Sequence, residues 1–142
     1  MKRNPRVCVV GSINMDMVTT TDKIPAQGET VMGESFTTYP GGKGANQAVA
    51  AARLGADVVM VGAVGEDAFG KSLKERFHDE GASDEAIITV PHESTGVATI
   101  IISDGDNRII VAPGANNDVT PERLKERQDI ILSSDIILMQ FE

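Results

Sequence analysis

Apolar residues along this chain fall into two patterns, and the switch between them predicts most of its elements. Nearly continuous apolar runs occur at 7–10 (VCVV), 58–65 (VVMVGAVG) and within 135–142 (DIILMQFE). Short runs of this kind, bounded by turn residues, suit strands buried on both faces. Strict alternation follows Gly11 instead. There Asn14, Asp16 and Val18 fall on one side of an extended chain, and Ile13, Met15 and Met17 on the other. The stretch ETVMGESFTTY is rich in β-branched residues and has no helical period. Residues 95–114 carry two β-branched runs around SDGDN, the signature of a hairpin.

Helical patterns lie between these strands. Residues 45–54 are alanine-rich and are followed by Gly55, a natural helix stop. Asp67 can cap a helix whose inward stripe is Phe69, Leu73 and Phe77, and Gly81 ends it. Residues 86–90 read as a short strand. Thr120 and Pro121 open a further helix as cap and first residue. Strands alternating with crossover helices predict an α/β fold with a mainly parallel sheet. The alternating segments at about 12–20, 30–39 and 95–112 predict a second, smaller antiparallel sheet. The chain shows no repeats and no linker.

Composition narrows the function classes. A net charge of -8 argues against nonspecific binding to nucleic acid or to an anionic membrane surface. No apolar run approaches the length of a membrane span. The single cysteine, Cys8, sits inside an apolar run and reads as a buried core thiol, in keeping with a reducing cytoplasm. His78 and His92 stand apart from each other and from Cys8, so they show no metal-ligand spacing.

Three features carry chemistry. In GGKGAN (41–46), adjacent glycines permit positive φ and close backbone approach, and a helix opens directly after them with unpaired amides. Lys43 adds a charge and Asn46 a carboxamide. The stretch is neither GxxxxGK[ST] nor GxGxxG, so it matches no common phosphate loop. Asn14 and Asp16 lie two residues apart, just past a buried strand, where open α/β sheets bind ligands. A carboxylate that accepts hydroxyl protons beside a carboxamide that donates and accepts suits sugar recognition. Glu142 follows another apolar strand and could face the same crevice. Each feature also has a plain structural reading: a tight turn, an Asx turn and a solvated carboxylate.

The motifs GSINMD (11–16), PAQGET (25–30), GGKGANQAVAAARLGA (41–56), VGAVGEDAFG (61–70), STGVA (94–98), GAN (114–116) and LMQFE (138–142) resemble, in order, the N-terminal half of the ribokinase-like, or PfkB, sugar kinases. GSIN-D together with GGKGAN favours the ribokinase branch. The resemblance implies a ribokinase-like three-layer fold with a β lid that also pairs two subunits. It implies that Asn14, Asp16 and Glu142 hold sugar hydroxyls, that Gly41, Gly42, Lys43, Gly44 and Asn46 form the sugar-binding turn, and that Ala98 and Ile100 cover the sugar. It further implies ATP and Mg2+ as partners of the intact enzyme, and leaves a monovalent cation open. The family's GAGD-type anion hole and catalytic aspartate have no counterpart in these residues, so the chain is expected to be the first portion of a kinase and inactive alone. Two alternatives stay open: a non-catalytic sugar-binding or dimerisation module, and a related kinase for fructose or a nucleoside.

Overall fold

The structure, a computed structural model, describes residues 3–141. It contains two sheets. In the first, β1 (Arg6–Val10), β4 (Asp57–Gly65), β5 (Ala82–Ser83), β6 (Ile87–Val90) and β9 (Ile136–Met139) pair in parallel, in the order β5-β4-β1-β9 with β6 also on β4. Helices cover both faces, giving three layers. The period-two geometry of a strand divides the apolar run of β1 between them. Val7 and Val9 pack with Val58, Met60, Leu73 and Phe77 under α1 (Lys43–Arg53) and α2 (Ala68–Asp79). Cys8 and Val10 pack with Val59 and Val61 toward Leu124, Ile130 and Ile131 of α3 (Pro121–Lys125) and α4 (Gln128–Leu132). A run that is apolar at every position is therefore what this strand requires. Cys8 is fully buried, and burial pushes its thiol pKa up, with a smaller opposing pull from Arg6. Among the described residues no helix is long and apolar enough to cross a membrane.

The second sheet has the order β3-β2-β7-β8, with β2 (Asn14–Thr20), β3 (Ser35–Gly41), β7 (Gly96–Ser103) and β8 (Asp106–Ala112). Its two outer pairings are antiparallel, as the hairpin patterns predict. Its central pairing, β2 with β7, is parallel, because the chain reaches β7 only after crossing the first sheet. The β7–β8 hairpin closes through Asp104 and Gly105, both at positive φ (53° and 74°), the geometry that matches strand twist in a two-residue loop.

Several boundaries differ from those the sequence suggests. Residues 30–34 lie outside the strand, since the β2–β3 ladder ends at Thr20 opposite Ser35, with the Glu34 amide donating to the Thr20 carbonyl at 2.8 Å just beyond it. The helix after Thr120 is two short helices, interrupted where the Arg127 side chain donates to the carbonyl of Ala86 at 3.0 Å. The most consequential difference is β9. It was expected to be buried, yet Ile136, Ile137 and Met139 are 47%, 41% and 57% exposed. The strand lies at the edge of the parallel sheet, where β1 pairs it on one side only. An exposed apolar sheet edge is unstable toward association unless something covers it.

The two sheets are joined by a polar clamp. Asp67 caps α2 by accepting from the Gly70 amide at 2.8 Å, as expected. It also accepts from the Thr95 amide (2.8 Å) and hydroxyl (2.6 Å), and the Thr95 oxygen accepts from the Gly65 amide (3.0 Å). Thr95 is fully buried and stands immediately before β7, so the clamp fixes the second sheet to the end of β4. Burial pushes the Asp67 carboxyl pKa up, but hydrogen bonds from Thr95, Gly70 and Phe69 outweigh it and hold the pKa below its usual value. A lowered folded-state pKa gives stability that is fully present above the unfolded value and is lost as pH falls through the folded one. Asp67→Ala should therefore cost about 1–2 kcal/mol at neutral pH. The gap to wild type should narrow below about pH 4, the ordinary carboxylate range. Urea unfolding at pH 7 and pH 3 checks this, and an equal gap at both values would contradict it.

Candidate functional site

Ligands in open α/β sheets bind beyond the C-terminal ends of the strands. Here that region lies where β1 turns through Gly11–Ile13 into β2. Directly opposed residues of paired strands share a face. Asn14 lies opposite Gly41 and Gly96, Asp16 opposite Tyr39 and Ala98, and Val18 opposite Thr37 and Ile100. Register alone thus gathers Asn14, Asp16, Ala98 and Ile100 on one face of the second sheet, with Gly41 at its base. That face has a polar end at the parallel sheet and an apolar continuation away from it.

The glycines at the base have specific causes. A Cβ on Gly41 would lie 2.4–2.5 Å from the Asp16 carboxylate, so the missing side chain is what gives that carboxylate its place. Gly42 has φ 94°, and a Cβ there would meet the Ser12 carbonyl oxygen at 2.6 Å. A residue with a side chain would be strained at this position by both backbone and contact. Gly42 leads directly into α1, which begins at Lys43, two residues earlier than the alanine pattern suggests.

The first-turn amides of α1 were expected to be free for a ligand, and two of them are not. The Lys43 amide donates to Ser12 Oγ (3.2 Å) and the Ala45 amide to the Ser12 carbonyl (3.0 Å). The turn after β1 therefore caps the helix, and the glycines pack the two segments together rather than cradle an anion. Gly44 is buried against the backbone of Gly11. The Lys43 side chain is exposed. Asn46, one turn further along α1, is also exposed and borders a cavity of ≈ 210 Å³ with Pro40, Val49, Arg53, Leu73 and Phe77. Glu142 lies outside the described residues.

One polar contact had no counterpart in the residue pattern. Asn14 is only 5% exposed, and its Oδ1 accepts from Asn116 Nδ2 at 2.8 Å. Asn116 lies in the short 3-10 turn Gly114–Asp118 after β8, a hundred residues away in sequence. The only sequence signal for it was its place in the GAN motif.

A carboxylate and a carboxamide beside an apolar strip can bind a polyol. Comparison with known proteins gives this chemistry a family. Residues 4–140 match the family described as pfkB family carbohydrate kinase. The chain belongs to the pfkB family of carbohydrate kinases. A ribokinase of Lactococcus lactis is 51% identical over 138 residues, covering 96% of this chain and 46% of that protein. A ribokinase of Bacillus subtilis is 48% identical over 136 residues, with the same coverages. A solved structure of Arabidopsis thaliana ribokinase complexed with ribose and ATP superposes with a TM-score of 0.86 at 35% identity, over 98% of this chain and 46% of that one. The chain thus spans about half the length of the relatives it matches. Its three-layer fold with a separate, mostly antiparallel sheet matches pfkB architecture as the sequence motifs implied.

Proposed function

We propose that this pfkB chain forms the sugar-holding portion of an ATP-dependent ribokinase. In the intact enzyme the γ-phosphoryl group of ATP passes to the 5-hydroxyl of D-ribose. The observation that carries this reading is the shared face of Asn14, Asp16, Ala98 and Ile100 over Gly41. The ribokinase relatives and the ribose- and ATP-bound structure support the choice of ribose and of ATP. Asp16 accepts from sugar hydroxyls, Asn14 adds a carboxamide, Lys43 and Asn46 contribute from α1, and Glu142 adds a carboxylate. The strands at 14–20, 35–41 and 96–112 act as the lid, with Ala98 and Ile100 closing over the sugar.

Phosphoryl transfer is mostly positioning and charge stabilisation, and this portion supplies the acceptor side. Among the described residues no group of three or more His, Cys, Asp or Glu gathers to hold a metal. Mg2+ is commonly held by one or two carboxylates together with substrate phosphates, and on this reading it and a monovalent cation act with ATP on the nucleotide side of the intact enzyme. The lone buried Cys8 suits a cytoplasmic setting. A panel of ribose, 2-deoxyribose, fructose and adenosine tested on the intact enzyme should show the highest kcat/KM for ribose. Preference for fructose or adenosine would move the chain to another branch of the family.

The lid's other face is the proposed subunit contact. Phe36 and Ile110, on the face opposite Asp16, are 59% and 68% exposed. Large exposed apolar side chains on a thin four-stranded sheet favour pairing with a second copy. Sedimentation of the intact enzyme at micromolar concentration should give a dimer, and a monomer would refute this contact.

A further inference from the structure

We infer that Asn116 is a positioning residue for sugar recognition: it turns the Asn14 carboxamide so that its nitrogen, not its oxygen, is offered to the sugar. This rests on the reading of Asn14 as a sugar ligand. Asn116 is itself fixed by backbone groups on both sides of its carboxamide. Its Oδ1 accepts from the Ile13 amide at 2.9 Å, and its Nδ2 donates to the Ile13 carbonyl at 3.1 Å and to the Pro113 carbonyl at 3.0 Å. An exchanged carboxamide would set oxygen against carbonyl and NH2 against amide, so this orientation is the one the backbone accepts. The same Nδ2 donates to Asn14 Oδ1 at 2.8 Å, the shortest of its three contacts, so that its two N–H groups are shared among three acceptors. Turning Asn14 over would bring two NH2 groups together. Its oxygen is thus committed toward Asn116, on the β7 side, where a Cβ on Gly96 would come within 2.4 Å of that oxygen and 2.2 Å of Asn116 Nδ2. Its nitrogen is directed away from that pair.

The arrangement divides the polar work of the site. Asp16 can only accept hydrogen bonds when ionised, and Asn14, so held, donates. A sugar hydroxyl can be read as a donor by one and as an acceptor by the other. Asn116 also follows Pro113 at the end of β8, so the exit of the lid hairpin braces the floor of the site directly. Support from a buried neighbour of this kind is what keeps a binding side chain in its productive orientation.

A double-mutant cycle on the intact enzyme tests the inference, with ribose and ATP affinities measured by calorimetry and folding followed by thermal unfolding. Asn116→Ala should weaken ribose binding about tenfold and leave ATP binding unchanged. The double variant with Asn14→Ala should bind ribose no worse than Asn14→Ala alone, within about twofold, because Asn116 acts through Asn14. Losses that multiply would assign Asn116 a separate structural role and overturn the inference. Asn116→Asp serves if the alanine variant does not fold. It keeps the acceptor for the Ile13 amide and draws Asn14 to turn over and donate to it, so ribose affinity should fall about tenfold, beside a lower melting temperature because an oxygen then faces the Ile13 and Pro113 carbonyls. Normal ribose affinity in Asn116→Asp, beside a weakened Asn14→Ala, would overturn the positioning role and leave the proposed function standing. Unchanged ribose affinity in Asn14→Ala would instead overturn the site assignment itself. In the wild-type enzyme, ribose should shift the side-chain NH2 resonance of Asn14, and a resonance that does not move would also refute the inference.

Discussion

Replacing Asp16 by Asn in the intact enzyme should lower ribose affinity at least about tenfold and leave ATP affinity nearly unchanged. Hydrogen bonds to a charged group contribute on the order of 1.5–3 kcal/mol each, and about 1.4 kcal/mol is a factor of ten in affinity. Asn is nearly isosteric with Asp, so the lid strand should keep its register and the change should be confined to charge and to one lost acceptor. The neighbouring glycine offers a second route to the same result. A Cβ at residue 41 would stand within 2.4–2.5 Å of the Asp16 carboxylate, so Gly41→Ala must displace that group without changing its charge. Both variants should therefore weaken ribose binding and spare ATP binding. Calorimetric titration of each with ribose decides the matter. Unchanged ribose affinity in Asp16→Asn would remove Asp16 from the site.

Much of this site could be read in the sequence because it depends on local pattern. Asn14 and Asp16 share a face simply because strands repeat every two residues, and the same rule placed Ala98 and Ile100 together. The double-sided burial of β1 and β4 was visible as unbroken apolar runs, and Asp67 was visible as a cap. What could not be read depends on partners distant in the chain. Ser12 takes the first amides of α1, so a turn that looked like an open donor site is already occupied. Asn116 reaches Asn14 across a hundred residues, and an asparagine in a loop carries no periodicity to betray it. The two-residue strand β5 is too short to form a pattern. The exposure of β9 reflects what lies beside it in space, which its own apolar residues cannot indicate.

A polypeptide of residues 1–142 should show no measurable ribose phosphorylation. Transfer of a phosphoryl group requires a positioned acceptor, a positioned triphosphate and stabilisation of the charge that develops between them. On the proposed reading, Asn14, Asp16 and the Gly41–Gly42 turn supply the first. The one glycine-rich helix start among the described residues is not available for the second, since Ser12 already holds the Lys43 and Ala45 amides. Lys43 is a single cation on a flexible stem, and one such charge cannot align three phosphates or take up the hydroxyl proton. Ribose binding by this portion should also be weak, because the cost of ordering the lid falls on few contacts. The exposed Ile136, Ile137 and Met139 edge gives the same portion a surface on which a later segment can continue the sheet. Residues 1–142 mixed with a separately expressed later half should therefore regain ribose-dependent ADP release that neither shows alone. Turnover by residues 1–142 alone within about tenfold of the intact enzyme would mean that the triphosphate and the proton are handled by groups in this portion, and the division of labour proposed for the two halves would fall.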